Sequence, residues 1–343
     1  MKTNKAYGVD LGWLSQLEAR GIHWVDQEEK EVDPFGAMKE MGADSVRLRI
    51  FVNPPKESYW TKKDGTVCML GFCDAESVLA VSKRVKEAGM RLMLDFHYSD
   101  HFADPQYQDI PQEWENEDVE GLTKRVYQHT KDVLQLFVAN DVIPEWVQVG
   151  NEINPGLLLP VGSCKDHPEQ MIAFLNAGYE AVKDVCPGCQ VITHISCVNY
   201  REYCDPFLET FFHFGGKTDI LGFSYYPYWY EKMIPDNGEK NADLFYNPLI
   251  YYAQVYQKPV MICEVGGPET DEKGTYQLLL NTMEAVRQVP DNMGLGVFYW
   301  EPEVGAELLP DKYPLGAAIA VDEHTIRFTG ALAAYKDHQS QCR

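Results

Sequence analysis

The sequence predicts a (β/α)8 TIM barrel made of one domain that spans residues 1–343. Eight short apolar segments alternate with longer segments whose apolar residues recur at helical spacing. The short segments are rich in β-branched and aromatic residues and are mostly apolar on both faces, as buried parallel strands are. Eight strands that alternate with helices favour a closed barrel, and such barrels commonly form one large domain.

The predicted strands cover residues 6–11, 46–52, 91–97, 146–152, 191–196, 219–225, 259–264 and 295–300. The predicted helices include residues 75–88, 123–139, 170–185 and 276–288. In the first of these helices Val78, Leu79, Val81 and Val85 recur at helical spacing, and Gly89 is a suitable C-cap. An open doubly wound sheet is the alternative, but its usual Gly-rich phosphate turn does not follow the first strand.

The charge of the chain restricts its partners. The formal net charge is -22, which repels phosphate backbones and anionic lipid surfaces. We therefore expect no nucleic-acid partner and no membrane partner, and a neutral substrate rather than a polyanionic one. Simple solubility explains the same charge equally well.

The termini and the cysteines give limited information about the compartment. Residues 1–5 are short and polar and no signal-peptide core follows them, so we expect a cytoplasmic protein if Met1 is the native start. If a signal peptide has been removed, we expect a secreted or cell-surface protein. Nine cysteines leave at least one without an intrachain disulfide partner. The Cys186-Pro-Gly-Cys189 motif stands alone, without the second ligand pair of a zinc site, which favours free thiols.

Polar or aromatic side chains lie near the ends of almost all the predicted strands. A lone charge in an apolar strand most simply forms a structural ion pair. Many such residues at one end of a barrel indicate an active site, because active sites in this fold lie at the carboxyl ends of the strands. In strand order they are Asp10, Arg47, Arg49, Asp95, His97, Asn151, Glu152, His194, Tyr225, Tyr226, Glu264, Trp300 and Glu301.

This set of side chains suits glycoside hydrolysis. A retaining glycosidase needs two carboxyl groups roughly 5 Å apart on either side of the scissile bond. Glu152 and Glu264 end the fourth and seventh strands, which face each other across an eight-stranded barrel. We therefore predict that these two glutamates are catalytic. No metal or other cofactor is needed for this chemistry.

Neighbouring residues have matching predicted roles. Asn151 can donate to a substrate 2-hydroxyl, and Trp300 offers a flat apolar face to a sugar ring. Arg47 and Tyr226 can keep Glu264 ionised, because a nearby cation or donor lowers a carboxylate pKa. Each assignment has a structural alternative: Trp300 as a core residue, His97 and His194 as satisfied interior histidines, and Arg49 in an ion pair.

Six sequence blocks identify a family resemblance. They are GVDLGWLSQLEARGI, GADSVRLRIFVNP, DFHYSDHFADP, VQVGNEINPGLL, FSYYPYW and GVFYWEP, spread over residues 7–302. Together they resemble glycoside hydrolase family 53, the arabinogalactan endo-β-1,4-galactanases. The resemblance implies a retaining (β/α)8 enzyme acting on galactan, arabinogalactan or galacto-oligosaccharides. It implies Glu152 as acid/base and Glu264 as nucleophile. Around the −1 sugar it places Arg47, Asp95, His97, Asn151, Tyr226 and Trp300.

The sequence departs from the family pattern near the substrate groove. Leu159 stands where the family often has a tryptophan, and Val304 replaces an aromatic residue. The nucleophile is followed by Val-Gly-Gly-Pro, and the usual long loop after the seventh strand is nearly absent. We therefore predict weaker binding of long galactan and a preference for shorter oligosaccharides. That region also lacks a dense cluster of oxygen ligands, so we predict no calcium site.

Two other functions remain open at the level of sequence. The same barrel can carry another β-glycan specificity, because fold does not determine substrate. A carbohydrate-binding protein without catalytic activity is the alternative from another class. A phosphate-utilising barrel enzyme is disfavoured, because no Gly-rich phosphate site follows the last two strands. We expect the chain to act as a monomer.

Overall fold

A computed structural model describes residues 5–229 and 241–342. Eight parallel strands close into a barrel in the order β1-β8-β7-β6-β5-β4-β3-β2, so each strand lies beside its neighbours in sequence. This confirms the predicted fold. The strands are β1 (Ala6–Asp10), β2 (Ser45–Ile50), β3 (Arg91–Phe96), β4 (Trp146–Val149), β5 (Gln190–Ile195), β6 (Ile220–Tyr225), β7 (Val260–Val265) and β8 (Gly294–Tyr299).

The strand ends differ from the prediction by a few residues at most. The largest difference is in β4, which ends at Val149 rather than at Glu152. Gly150 has φ 85° and Glu152 has φ 49°, so the backbone leaves the extended conformation after Val149. Glu152 is therefore presented by the start of a loop and not by the strand itself.

Helices surround the barrel and several begin at an aspartate cap. Asp33, Asp74, Asp118 and Asp271 each accept a hydrogen bond from a backbone N–H of the first turn. The helices are α1 (Leu14–Ala19), α2 (Pro34–Glu40), α3 (Ala75–Glu87), α4 (Val119–Ala139), α5 (Pro168–Val185), α6 (Arg201–His213), α7 (Asn241–Tyr256), α8 (Glu272–Arg287) and α9 (Ala333–Gln341).

Shorter elements lie in the connections. One four-stranded sheet joins segments from both ends of the chain: His23–Val25, Glu31–Val32, Ala318–Ala320 and Thr325–Phe328. Two hairpins pair Tyr59–Thr61 with Val67–Met69 and Gly156–Leu157 with Gly162–Ser163. Single 3₁₀ turns occupy Gln112–Trp114, Pro290–Asn292 and Ala306–Leu308. The hairpins and turns lengthen the loops around the barrel.

The barrel interior changes from apolar to polar along the strands. Its apolar layer consists of Ala6, Met93, Trp146, Ile192, Ile220, Met261, Cys263 and Phe298, all nearly inaccessible to solvent. Because strand side chains alternate, the residue two positions further on points into the same interior. On β3, β4 and β5 these next residues are Asp95, Gln148 and His194. The apolar layer thus supports a polar layer on the side of the barrel where the predicted site residues lie.

Two general properties follow from the described residues. Within residues 5–229 and 241–342 no helix combines the length and apolar character that a bilayer-spanning segment needs.

All nine cysteines lie in this part of the chain, and all are free thiols. The free state of Cys186 and Cys189 agrees with the prediction from their isolated motif.

Candidate active site

Arg47 lies at the centre of the polar layer and is almost completely buried. Its position on β2 directs the guanidinium into the barrel mouth, where its planar set of N–H donors can serve several strands at once. It donates to Asp10 (2.5 Å), Asp95 (2.8 Å), Asn151 (2.8 Å), Glu264 (2.9 Å) and Gln148 (3.1 Å). One side chain therefore connects β1, β3, the end of β4 and β7.

Asp95 and His97 belong to the same polar layer and are buried. Asp95 accepts from Arg47 and from His97 Nε2 at 2.9 Å, while His97 Nδ1 accepts the N–H of Ala103 at 2.9 Å. Burial acts to raise the pKa of Asp95, but Arg47 and His97 outweigh it, so the pKa is lowered. The polar atoms of Asp95 and His97 are thus bound to protein groups, and their predicted contact with the −1 sugar stays a prediction.

Glu264 lies on β7 and is held by two donors. Arg47 Nη2 donates to Oε1 at 2.9 Å, and the Tyr226 hydroxyl donates to Oε2 at 2.9 Å. Burial raises the pKa of Glu264, and Arg47 and Tyr226 act in the opposite direction. The predicted influence of Arg47 and Tyr226 is therefore present, although burial outweighs it.

Glu152 follows β4 and lies closer to solvent than Glu264. The protein packed around its carboxyl raises its pKa well above the ordinary value, and the negative charge of Glu264 adds to this effect. The nearby Ser224 hydroxyl acts against this rise in pKa. Glu152, without a direct arginine contact, is the carboxyl that retains its proton more readily. This difference is what an acid/base and nucleophile pair requires.

Asn151 connects Arg47 to the loop after β3. Its Oδ1 accepts from Arg47, and its Nδ2 donates to the carbonyl of Ala103 at 2.8 Å. Ala103 also donates its N–H to His97, so one residue of this loop is fixed from two sides. The predicted contact of Asn151 with a substrate hydroxyl stays a prediction.

Aromatic residues form one wall of the site around Trp300, which is only partly buried. Its ring meets Trp13 edge-to-face with centroids 5.2 Å apart and Tyr313 in the same way at 4.8 Å. Trp229 lies against Tyr313 with centroids 5.7 Å apart. Trp300 thus packs against the core and retains accessible surface, and its sugar-binding role stays a prediction.

A second buried charge cluster supports this wall. Arg49 pairs with Glu301, the structural alternative that the sequence left open. Glu301 accepts the N–H groups of Gly12 and Trp13, and Glu303 also accepts from Trp13, at 3.2 Å. Burial and the neighbouring Glu301 raise the pKa of Glu303 well above its ordinary value. The cluster fixes Trp13 and the loop after β8.

Sequence reasoning missed several residues of the site: Gln148, Ser224, Glu303 and Tyr313. The alternation of strand side chains could have found two of them. Gln148 is two residues after the interior Trp146, and Ser224 is two residues before Tyr226. Tyr313 lies in an irregular loop, and no sequence pattern predicts its position.

The described residues contain no group of three or more His, Cys, Asp or Glu side chains arranged to hold a metal ion. The site carboxylates instead receive hydrogen bonds from arginine, glutamine, histidine and tyrosine. The predictions of no calcium site and no cofactor stay predictions.

A closed (β/α)8 barrel with two unequal glutamate carboxyls at its mouth, one bound by arginine and tyrosine, defines a barrel glycoside hydrolase. The comparison with known families agrees with this class. The model of glycosyl hydrolase family 53 matches residues 6–328, and the chain belongs to that family. The resemblance seen in the sequence is confirmed, as is the prediction of an enzyme.

Characterised relatives are similar along most of the chain. The arabinogalactan endo-β-1,4-galactanase of Cellvibrio japonicus is 31% identical over 325 residues, covering 86% of this chain and 79% of the relative. The arabinogalactan endo-β-1,4-galactanase A of Aspergillus niger is 29% identical over 318 residues, covering 86% and 84%. The family 53 catalytic domain of Ignisphaera aggregans superposes with a TM-score of 0.81 at 24% identity, covering 98% of this chain and 96% of that chain.

Proposed function

We propose that this enzyme hydrolyses β-1,4-galactosidic bonds in galactan, arabinogalactan or galacto-oligosaccharides with retention of anomeric configuration. The observation that carries the proposal is the unequal environment of the two glutamates. Glu264 is bound by Arg47 and Tyr226, whereas Glu152 is packed against protein and lies near the negative charge of Glu264. The galactanase names of the relatives support the choice of galactan.

The two glutamates would act in two displacements. In the first, Glu264 attacks the anomeric carbon while Glu152 gives its proton to the leaving glycosidic oxygen, which forms a glycosyl–enzyme ester. In the second, Glu152 takes a proton from water, the water oxygen attacks the same carbon, and Glu264 leaves as a carboxylate. Arg47 and Tyr226 stabilise that carboxylate as it forms again.

Replacing each glutamate separately tests these roles. Glu264→Ala should abolish turnover of β-1,4-galactan, because no nucleophile remains. Glu152→Ala should retain activity on aryl β-galactosides with good leaving groups, because these need little proton donation. The exposed variant Glu120→Ala serves as the matched control. Near-native activity of Glu264→Ala, or inversion of configuration in the NMR spectrum of the product, would refute the proposal.

We further propose that short galacto-oligosaccharides are preferred over the polymer. Val304 is buried and offers no stacking surface, whereas Trp300, Tyr313 and Trp229 lie close to the catalytic centre. Each missing aromatic platform removes about 0.5–1.5 kcal/mol of binding, judged from aromatic pairs. The test compares kcat/KM on β-1,4-galactotetraose with that on galactan. A strong preference for the polymer would contradict this proposal.

We also propose that the enzyme acts as a monomer on this neutral glycan. The two glutamates and the donors to Glu264 lie together at the mouth of one barrel, which supports a site formed within one protomer. Sedimentation velocity at working concentrations tests the oligomeric state. A panel of β-glucan, β-mannan and β-galactan with detection of reducing sugars tests the substrate, and faster hydrolysis of glucan or mannan would favour another specificity.

A further inference from the structure

His194 is a buried histidine of β5 that the mechanism described above does not use. Its Nδ1 lies 2.9 Å from Asn151 Oδ1 and 3.0 Å from Gln148 Nε2, and its Nε2 lies 2.9 Å from Ser224 Oγ. Burial, with the charge of Arg47, lowers the pKa of His194 well below its ordinary value, so the imidazole is neutral at pH 7 and carries one proton. The position of that proton decides what the ring does for its neighbours.

The side-chain amide of Asn151 can present only its oxygen to His194. Its Nδ2 donates to the carbonyl of Ala103 at 2.8 Å, and its Oδ1 accepts from Arg47 Nη2 at 2.8 Å. A rotation that exchanged the two ends of the amide would place Nδ2 against a guanidinium, which can only donate, and Oδ1 against a carbonyl oxygen. The atom that faces His194 Nδ1 is therefore an acceptor as long as these two hydrogen bonds are kept.

The amide of Gln148 does not require the imidazole as an acceptor. Its orientation is fixed because Arg47 Nε donates to its Oε1 at 3.1 Å. The two protons on its Nε2 have other acceptors, which are Asp95 Oδ1 and, at 3.0 Å, Asn151 Oδ1. Gln148 is therefore satisfied even when His194 Nδ1 carries a proton.

The two neutral forms of the imidazole differ in how they meet these groups. With the proton on Nε2, the lone pair of Nδ1 faces the lone pairs of Asn151 Oδ1 at 2.9 Å, and two buried acceptors at that distance repel each other. With the proton on Nδ1, the same contact becomes a hydrogen bond, and Nε2 can accept from the Ser224 hydroxyl, which is free to rotate. In this second form His194 and Gln148 donate to the same oxygen, and no two acceptors face each other.

We infer that His194 is a positioning residue for Asn151: its imidazole carries the proton on Nδ1 and donates to the side-chain oxygen of the asparagine next to Glu152. Donors from β2, β4 and β5 then hold that oxygen. Because a side-chain amide is planar, fixing its oxygen and one Nδ2 proton also fixes the other Nδ2 proton, which is predicted to meet a substrate 2-hydroxyl. The inference deepens the proposed function and rests on it, since that hydroxyl belongs to the −1 sugar.

The kinetic test uses the different lengths of two side-chain amides. His194→Asn places an amide N–H near the position of Nδ1, whereas His194→Gln places it one bond further out, near the position of Nε2. We expect His194→Gln to lower kcat/KM on an aryl β-galactoside about 3- to 10-fold, the effect of one hydrogen bond, and His194→Asn to restore most of that loss. On the 2-deoxy analogue of the same glycoside, both variants should keep the native rate.

A direct measurement reads the position of the proton. In ¹⁵N-labelled native protein, the long-range ¹H–¹⁵N spectrum of the imidazoles distinguishes a protonated Nδ1 from a protonated Nε2, and the signals that disappear in His194→Asn identify the residue. The control is His338→Gln, because His338 is also buried but bonds to the Tyr7 hydroxyl, at 3.1 Å, outside the site. It should change neither the His194 signals nor the ratio of the rates on the two glycosides.

The outcomes separate this inference from the proposed function. A proton on Nδ1, with a loss of rate confined to the glycoside that has a 2-hydroxyl, supports the inference. A proton on Nε2 overturns it, because the imidazole could then not donate to Asn151. Equal losses on both glycosides, or no loss on either, overturn it as well and leave His194 a merely structural role. If the native enzyme hydrolyses no β-galactoside, the proposed function fails, whereas the position of the proton still decides the inference.

Discussion

At the scale of single residues, we expect the replacement of Arg47 to have the largest effect. A lysine ammonium keeps the charge but cannot reach Asp10, Asp95 and Glu264 in one geometry. We predict that Arg47→Lys lowers kcat/KM by at least about 100-fold, because Glu264 loses a donor and Asn151 its anchor. It should also reduce the free energy of unfolding by about 1.5–3 kcal/mol, the usual value of one hydrogen bond to a charged group.

Activity assays and urea denaturation measure the two effects. Arg125→Lys is the matched control, because Arg125 forms an exposed pair with Glu117 at 2.7 Å. Such surface pairs contribute less than about 1 kcal/mol. Equal destabilisation by the two substitutions would mean that the Arg47 network has no special role in stability.

The sequence contained the two glutamates and the donors to Glu264, but not every residue that supports them. Arg47, Glu152 and Glu264 stand out in the sequence because a charge in an apolar strand is costly unless it is paired. The strand order then brings the ends of their strands together. Gln148 and Ser224 carry no charge, so the alternation of strand side chains can place them in the barrel interior but does not show what they bind. Their roles depend on hydrogen bonds to residues of other strands, and only the three-dimensional packing brings those atoms within hydrogen-bond distance.

At the scale of elements, long uninterrupted helices were predicted and interrupted ones were not. The helix predicted at 123–139 is present as α4 but begins at Val119, because the Asp118 side chain caps its first turn. Helix α6 was missed, since Pro206 inside it breaks the sequence pattern. A predicted apolar face shows that a helix exists, whereas its start depends on capping side chains.

Helix α4 also carries a half-buried histidine, His129, that makes stability depend on pH. The His129 ring packs against Phe96, Tyr98 and Trp114, and its Nε2 has no hydrogen-bond partner among the described residues. Burial lowers the pKa of His129 to about 4, from an ordinary 6.5. Below pH 6.5 the unfolded chain therefore binds a proton at this histidine, whereas the folded chain does not until about pH 4. The free energy of unfolding falls as the pH is lowered from 6.5 to about 4.

We predict that His129→Phe flattens this part of the stability curve. The gain over the native protein should be small at pH 7.5 and should grow to roughly 2–3 kcal/mol towards pH 4. Urea denaturation across that range measures it. His324→Phe, at an exposed histidine, is the control and should leave the slope unchanged. A constant difference at all pH values would show that packing, not titration, is the cause.

At the scale of the whole molecule, the dominant property is a net charge of -22 on a closed barrel. Like charges repel more strongly in the folded chain, where they are closer together than in the unfolded chain. Raising the salt concentration from about 10 to 300 mM shortens the screening length from about 30 Å to less than 10 Å. We therefore predict that salt increases the free energy of unfolding at pH 7 and has much less effect near the isoelectric point.

The same salt series distinguishes the charge of the protein from the charge of its substrate. Electrostatic steering does not change the association rate of a neutral galactan. As salt is added, kcat/KM should therefore stay constant while the free energy of unfolding rises. A charged polymer would be repelled at low salt, and its kcat/KM should increase as salt is added. Parallel measurement of urea denaturation and of galactotetraose hydrolysis therefore tests both properties of one surface. A steep dependence of kcat/KM on salt would contradict a neutral substrate, whereas a loss of stability with salt would contradict repulsion as the main surface effect.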